Sequence, residues 1–506
     1  MSGTVNDALI FWARVDPDQV AIDFDGDAVT YRELSNWADG AASELREKGV
    51  GAGDRVALLG NNSLEWCAVA LGAWRIGAVV APFNHRLLAR ELTALVEDCE
   101  PAVVYGDAAF KPRLEEVHEA RPTFRIGVLE EVAPLRGRAD APVEAPLADR
   151  DDATAIIFTS GTTGRPKGVV FTHGTIAGIA HEWSLVEPVP PNDLKQLLVL
   201  PLFTAAGVIW ALARVLLNGG TLFLQPSLDP ARAVEVIAEN RVTTIMGPPI
   251  IFQAIASAPG FAAADLSSVV TAHVGGARVP VDLLRVWQSK DVLLRQIYGQ
   301  TEIGGSATVM PRADAAENPE KCGRGGIFTK LRVVDPDGAD CPPGVPGEIL
   351  LRGPGMMPGY WRNEEATKTA IVDGWLHTGD MGVLDEKGHL TFVDRIKDLI
   401  ISGGLNIAPL EIENVIAELP GVQEVSVIGV HDDKFGETPA ALIKANGELT
   451  EAQVVAHCNA RLADYKVPRY VVFAESDFPR MASGKIAKRE LRDLYAAVPE
   501  THPKVR

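Results

Sequence analysis

The chain has 506 residues, too many for one compact core, so two or more domains are expected. Hydrophobic residues at 47% and charged residues at 23% make an ordinary globular mix. Lys and Arg total 48 against 67 Asp and Glu, and the resulting net charge of −19 argues against non-specific nucleic-acid binding while leaving room for a local basic pocket.

Five scattered cysteines (Cys67, Cys99, Cys322, Cys341 and Cys458) form no CxxC pair, so neither a disulfide framework nor a zinc site is expected. The N-terminus carries acids early and lacks a basic-then-apolar signal layout. The longest apolar stretch, Val208 to Leu217, is interrupted by Arg214. It falls short of the ~18 apolar residues a membrane span wants. A soluble, cytoplasmic protein without a transmembrane segment is expected.

In chain order, β-branched runs predict strands at Arg55–Leu59, Ala102–Tyr105, Thr154–Phe158, Thr221–Leu224 and Val242–Met246. Between the last two lies a helix signal: Asp229 as cap, Pro230 in the first turn, and Ala233, Val234 and Ile237 on one face. Strand–helix–strand repetition implies parallel sheets with right-handed crossovers. After about Gly323 the texture changes, and Glu348–Arg352 and Leu390–Val393 read as strands of a smaller β region. A polar, Gly-rich joint at Asp394–Asn406 precedes an α+β unit. There Pro409 opens a helix with Ile412, Val415 and Ile416 on one face. Strands at Glu424–Val430 and Ala440–Lys444, a helix from Glu451 to about Leu462, and a strand at Tyr470–Phe473 come next. The tail from Pro499 is expected to fray.

The fold class is therefore α/β. A large N-terminal domain, 1–396, holds two parallel-type sheets and the small β region, and a small α+β C-terminal domain spans 397–506.

The densest chemical signal is Thr159-Ser160-Gly161-Thr162-Thr163-Gly164-Arg165-Pro166-Lys167-Gly168, directly after a predicted strand. Glycines free backbone N–H groups to wrap an anion, hydroxyls donate further hydrogen bonds, and Lys167 and Arg165 supply charge. This reads as a phosphate cradle at a strand-to-helix bend. Its glycine and lysine spacing differs from the GxxxxGK[ST] P-loop, which weakens a P-loop kinase reading.

With four further motifs, the loop resembles the acyl-adenylate-forming enzyme superfamily, which includes acyl- and aryl-CoA ligases, and the medium/long-chain fatty-acid and aryl-CoA ligases within it in particular. The motifs are Tyr298-Gly299-Gln300-Thr301-Glu302, Gly374-Trp375-Leu376-His377-Thr378-Gly379-Asp380, Asp394-Arg395-Ile396-Lys397 running on to Gly404, and Pro479-Arg480-Met481-Ala482-Ser483-Gly484-Lys485. The resemblance spans nearly the whole chain, beginning at Val29-Thr30-Tyr31-Arg32-Glu33-Leu34.

By itself, Tyr298 offers a flat apolar face to a purine, and Glu302 a hard oxygen for Mg²⁺. The resemblance implies adenine stacking on Tyr298, phosphate contact through Thr159 and Thr301, and metal ligation by Glu302. It places Gly275, Gly276, Ala277, Gln296 and Gly299 around the nucleotide and Asp380 on the ribose, with Arg395 able to reach the same ribose or a phosphate. Lys485 is implied to contact the carboxylate and α-phosphate during adenylation, offsetting charge that gathers there. The implied C-terminal domain is mobile about Lys397, and Gly403 and Gly404 border the pantetheine channel.

The resemblance implies ATP, Mg²⁺ and coenzyme A, with a small carboxylic acid as partner, no nucleic acid, and a homodimer as an admissible assembly. The reaction makes acyl-AMP and pyrophosphate, then acyl-CoA and AMP. His181, Trp183, Thr204, Ala205, Pro249, Gly275, Gly304 and Gly305 are expected to form the acyl pocket. The glycines suggest a roomy cavity and Trp183 an apolar wall, for a medium-chain, aryl or alicyclic acid.

Two departures stand out: Thr204 where relatives often carry His, and Leu405 and Ala408 where many have Glu and Tyr. His173 reads as a turn histidine rather than a base. The alternatives are an acyl-AMP ligase that loads a carrier-protein thiol and a catalytically dead nucleotide-binding module. Joint retention of Glu302, Asp380 and Lys485 speaks against the second.

Overall fold

Short apolar runs bounded by turn residues become strands in the computed structural model, which describes residues 3–137, 143, 146, 148–159, 166–187, 189–190, 192–276, 279–403, 405–447, 449–480 and 486–506. The backbone falls into two units, Met1–Leu331 with Leu350–His377, and Arg332–Ile349 with Thr378–Arg506.

The first unit carries two sheets. Six strands run in the order Arg125–Val128, Val103–Gly106, Arg55–Leu59, Val79–Pro82, β1 (Ala153–Thr159) and β2 (Lys167–Thr172). All pairs are parallel except β1 with β2. The second sheet contains β3 (Lys195–Leu198), β4 (Thr244–Gly247), β5 (Thr271–Gly275) and β6 (Leu294–Tyr298). They lie in the order β6-β5-β4-β3, and all are parallel. Strands Thr221–Leu224 and Val20–Phe24 extend the parallel run, and antiparallel strands close both edges.

Helices pack where the sequence provides caps and apolar faces. Helix α1 (Tyr31–Glu47) opens on a Thr30–Glu33 capping box and crosses α2 (Leu64–Arg75). The crossing is close enough that a Cβ on Gly72 would lie 2.7 Å from Ala41 Cβ. Helix α3 (His173–Val186) follows β2, and helix α4 (Pro230–Asn240) starts where the sequence predicts. The Asp229 carboxylate accepts the Arg232 N–H at 3.0 Å, a cap worth ~1 kcal/mol, and Ala233, Val234 and Ile237 are buried. The apolar run near Val208 becomes a π-helix, Ala206–Ala213, continued by an α-turn.

The second unit holds most of β7 (Trp375–Leu384), which pairs antiparallel with β8 (Leu390–Arg395). Helix α5 (Pro409–Ile416) then packs on β9 (Val422–Asp432) and β10 (Gly436–Ala445). The core there includes Ile412, Ile416, Val427, Ala441 and Ile443. Helix α6 (Glu451–Asn459) ends three residues before the expected Leu462, and β11 (Tyr470–Phe473) pairs parallel with β10.

The tail does not fray. The Val505 N–H donates to the Arg469 carbonyl at 2.9 Å, Lys504 reaches the buried Asp432 at 2.9 Å, and Arg506 reaches Asp464 at 2.9 Å. Charged side chains that look like solvated decoration in the sequence have specific acceptors here. Among the described residues, no helix is long and apolar enough to cross a membrane.

Candidate active site

In the first unit, the carboxyl ends of four adjacent parallel strands meet. Thr204 and Ala205 follow β3, Pro249 follows β4, Gly275 ends β5 with Gly276 next, and Tyr298 ends β6, followed by Gly299, Thr301, Glu302, Gly304 and Gly305. Carboxyl ends of parallel strands are where open α/β sheets bind ligands. Register puts Gln296 beside Val274 and Ile297 beside Gly275.

The segment expected to cradle phosphate is not flanked by a strand-to-helix bend. β1 leaves the sheet at Thr159, and the chain re-enters at Lys167 as β2, antiparallel to β1, with Thr159 opposite Lys167. The Thr159 hydroxyl donates to the Lys167 carbonyl at 3.4 Å. Helix α3 begins only at His173. The β-branched run Val169-Val170-Phe171-Thr172 extends better than it coils. Ser160, Gly161, Thr162, Thr163, Gly164 and Arg165 lie outside the described residues, as do Ala277, Gly404 and Lys485. The flanks of the Lys485 segment are fixed by a β-bridge between Arg480 and Ile486.

After β6 the chain makes a tight turn held by its own backbone. The Ile303 and Gly305 N–H groups donate to the Gln300 carbonyl at 3.1 and 2.9 Å, and the Gly304 N–H donates to the Thr301 carbonyl at 2.9 Å. This turn presents Glu302, whose carboxylate accepts the Tyr360 hydroxyl at 2.8 Å. On the other side, the Lys167 ammonium stands 5.0 Å from the Tyr360 ring centre. Tyr360 is itself tied to β2: the Trp361 N–H donates to the Gly168 carbonyl at 2.7 Å, and the Val170 N–H to the Gly359 carbonyl at 3.2 Å. Burial, then the Glu302 carboxylate, pushes the Tyr360 phenol up, so its proton stays in place.

Tyr360 is not among the residues that the sequence singles out. Its available signal is an aromatic pair directly after the Pro358-Gly359 turn. Among the described residues no group of three or more His, Cys, Asp and Glu converges. A single carboxylate next to a polyphosphate suits Mg²⁺, which takes few protein oxygens and completes its shell with phosphate and water. Glu302 therefore fits that ion.

Around the expected adenine and acyl positions the space is more filled than the glycines suggest. A Cβ on Gly275 would meet Ile297 at 2.6 Å. On Gly304 (φ +85°) it would meet Ile179 at 2.4 Å, and on Gly305 (φ +99°) the Trp210 indole at 2.7 Å. These glycines make way for the protein's own side chains and not for an empty chamber.

Trp183 is buried edge-on to Trp210 at 4.7 Å and to His273 at 4.9 Å, and the Trp210 N–H donates to the Gly304 carbonyl. An apolar indole wall therefore stands against Gly304 and Gly305. His181 is not part of it: two residues away on α3, it is exposed and stacks on Phe328 at 5.9 Å. Between them, Glu182 accepts the N–H groups of Phe328 and Thr329 at 2.6 and 2.7 Å. Thr204 accounts for its own departure from relatives. Its hydroxyl donates to the Pro201 carbonyl at 2.8 Å and accepts the Gly207 N–H at 3.1 Å, capping the π-helix. Pro249 takes the first turn of its helix, the Gln296 amide bonds the Pro319 carbonyl, and the buried Tyr298 donates its N–H to Thr308 at 3.1 Å.

A buried charged cluster underlies β5 and β6. Arg295 pairs with Glu187, and the Arg295 guanidinium lies 3.0 Å from the His273 ring nitrogen. Thr271 donates to Glu187 at 3.2 Å. Burial first, then the Arg295 and Arg214 cations, pushes His273 down to about 4 against the pull of Glu187. Burial would raise Glu187, but bonds from His273 and Arg295 outweigh it and hold it at about 2. His173, at the start of α3, is buried and held below its usual range by burial, as a turn histidine would be.

In the second unit, Asp380 and Arg395 face each other across β7 and β8, with Arg395 Nε 3.7 Å from the carboxylate. Lys397 sits in a 3₁₀ turn, Ile396–Asp398, and burial, then Arg395, lowers it. Gly403 has φ +59° and donates its N–H to the Phe435 carbonyl at 2.8 Å.

Comparison with known proteins gives concordant results. Residues 11–361 match the AMP-binding enzyme family and residues 411–485 its C-terminal domain. The feruloyl-CoA synthase of Amycolatopsis sp is 38% identical over 489 residues, covering 96% of this chain and 97% of that protein. A long-chain-fatty-acid–CoA ligase of Mycobacterium tuberculosis is 38% identical over 475 residues, 93% of each chain. O-succinylbenzoate coenzyme A synthetase from Bacillus subtilis, solved in complex with ATP and magnesium ion, matches with a TM-score of 0.87 at 28% identity, over 96% of this chain and 99% of that one. By these matches, this chain belongs to the AMP-binding enzyme family.

Proposed function

We propose that the acid this chain activates is a medium-chain, aryl or alicyclic carboxylate. The chain is an AMP-forming carboxylate–CoA ligase that uses ATP, Mg²⁺ and coenzyme A. The indole wall of Trp183 and Trp210 beside Gly304 and Gly305 supports an apolar acyl group. The feruloyl-CoA synthase relative supports an aryl acid, and the long-chain-fatty-acid–CoA ligase relative supports an apolar acyl chain.

The assigned roles follow the chemistry of each group. The hairpin from Thr159 to Lys167, with Ser160, Gly161, Thr162, Thr163 and Gly164, grips the triphosphate. Gly275, Gly276, Ala277, Gln296, Tyr298, Gly299 and Thr301 border the nucleotide, and Asp380 and Arg395 take its ribose. Glu302 would hold Mg²⁺, which would supply neutralisation of phosphate charge. The substrate carboxylate oxygen bonds to the α-phosphorus and pyrophosphate leaves, with the Lys485 ammonium offsetting the charge that gathers. Coenzyme A sulfur then bonds to the acyl carbon and AMP leaves, the thiol proton passing to solvent. A hinge at Lys397, between domains 1–396 and 397–506, exchanges Lys485 for the thiol, which enters past Gly403 and Gly404. The cytoplasm, which supplies ATP and coenzyme A, is the compartment this chemistry asks for, and sedimentation would read whether the chain is a homodimer.

The carrying observation is the convergence of Thr204, Pro249, Gly275 and Tyr298–Gly305 at four neighbouring strand ends, with Glu302 in the same turn. The test is acid-dependent ATP–pyrophosphate exchange and coenzyme A consumption across medium-chain, aryl and alicyclic acids. At least one class is expected to support both; exchange with no acid, or thiol transfer only to a carrier protein, overturns the reading. Lys485→Ala is expected to lower exchange at least ~100-fold. The same variant should spare thioester formation from preformed acyl-AMP, and equal loss in both halves would remove Lys485 from adenylation.

A further inference from the structure

We propose that Tyr360 is the positioning residue for Glu302 and ties that carboxylate to the strand that leaves the phosphate hairpin. The inference rests on the ligase reading above and adds a residue to its machinery.

Three observations converge. The Tyr360 hydroxyl donates to one Glu302 oxygen at 2.8 Å, a bond that sets the plane of the carboxylate a metal ion would use. The Lys167 ammonium sits 5.0 Å from the centre of the same ring. Backbone bonds from Trp361 to Gly168 (2.7 Å) and from Val170 to Gly359 (3.2 Å), with a β-bridge between Val169 and Tyr360, seat Tyr360 on β2 itself. The Glu302 turn is held separately, by its own backbone bonds and by the Met357 N–H, which donates to the Glu302 carbonyl at 2.8 Å. One aromatic side chain thus spans an anionic ligand and a cationic phosphate contact that lie 135 residues apart in sequence (302 minus 167).

A glutamate without such a partner samples several rotamers, and fixing it on metal binding costs affinity. Groups that orient metal ligands in this way are worth ~10–100-fold in metal affinity.

The test is Tyr360→Phe, which keeps the ring over Lys167 and removes only the hydroxyl. ATP affinity is measured by calorimetry with Mg²⁺ and with a chelator, and Mg²⁺ half-saturation is measured in pyrophosphate exchange. The expected result is a ~10-fold rise in Mg²⁺ half-saturation and a matching loss of Mg²⁺-dependent ATP affinity, with chelated ATP binding within about twofold of wild type. Unchanged Mg²⁺ dependence, or equal loss with and without the ion, overturns the proposal.

A double variant guards against a folding defect. In a Glu302→Gln background, Tyr360→Phe should have no further effect on Mg²⁺ dependence, whereas a general defect would persist. If wild type exchanges pyrophosphate with no acid, the ligase reading fails, while the calorimetric comparison still reports on Tyr360.

Discussion

Gly305 is under two independent demands. Its φ of +99° suits glycine, and a Cβ would lie 2.7 Å from the Trp210 indole nitrogen. Trp210 cannot yield freely, because its N–H is bonded to the Gly304 carbonyl and its ring is held edge-on by Trp183. Gly305→Ala is therefore expected to cost ~1–3 kcal/mol of stability, read as a lower melting temperature, and to raise the KM for acid more than that for ATP. An unchanged acid KM would remove the indole wall from the acyl site. The sequence marks Gly304 and Gly305 as special but misleads about the reason. Small residues signal either open space or close approach, and only the positions of Ile179 and Trp210 decide between them.

Among elements, the cluster joining the end of α3 to β5 and β6 governs acid sensitivity. His273 is held neutral, with its folded pKa at about 4, below the ordinary 6.5. The unfolded chain therefore binds more protons between those values, and stability is full above 6.5 and falls as pH drops toward 4. The upper bound is on the order of 3 kcal/mol. Glu187, at about 2, adds a second loss as pH falls from 4.5. Melting temperature measured from pH 7 to 4.5 should fall, and His273→Gln should flatten that slope; equal slopes would refute the assignment.

None of this is visible in the sequence, where Glu187, His273 and Arg295 are separated by long stretches and share no motif. The elements that hold them are legible. Strand Thr221–Leu224 and helix α4 start where the short apolar run, Asp229 and Pro230 say, because those signals are local. The hairpin is not legible, because the loop motif leaves open the conformation of the chain beyond Lys167. That conformation is decided by the pairing of β2 with β1 and by its bridge to Tyr360.

At the scale of the whole chain, the two units have separate cores, and the second is closed by its last residues. Deleting residues 502–506 removes the Val505 backbone bond beside β11 and the Lys504 partner of buried Asp432. Truncation is expected to lower the melting temperature of the second unit by ~2–4 °C for each kcal/mol lost, the scale for a domain near 150 residues, while the melting transition of the first unit stays in place. An unshifted transition would show that the tail contributes nothing.

The hairpin has a further consequence for how nucleotide is let go. A polyphosphate seated at a helix start gains the partial positive charge of that helix's free N–H groups. Here both feet of the loop are strands, and the first downstream helix begins at His173, its own cap already occupied by Thr172. On the reading proposed above, attraction for the phosphates comes from the loop's own N–H groups, its side-chain cations and the metal, and no described helix opens at either foot of the loop. On that reading, raising ionic strength should weaken the side-chain share of the attraction and hasten AMP dissociation, while an unchanged release rate would place the grip on backbone groups alone.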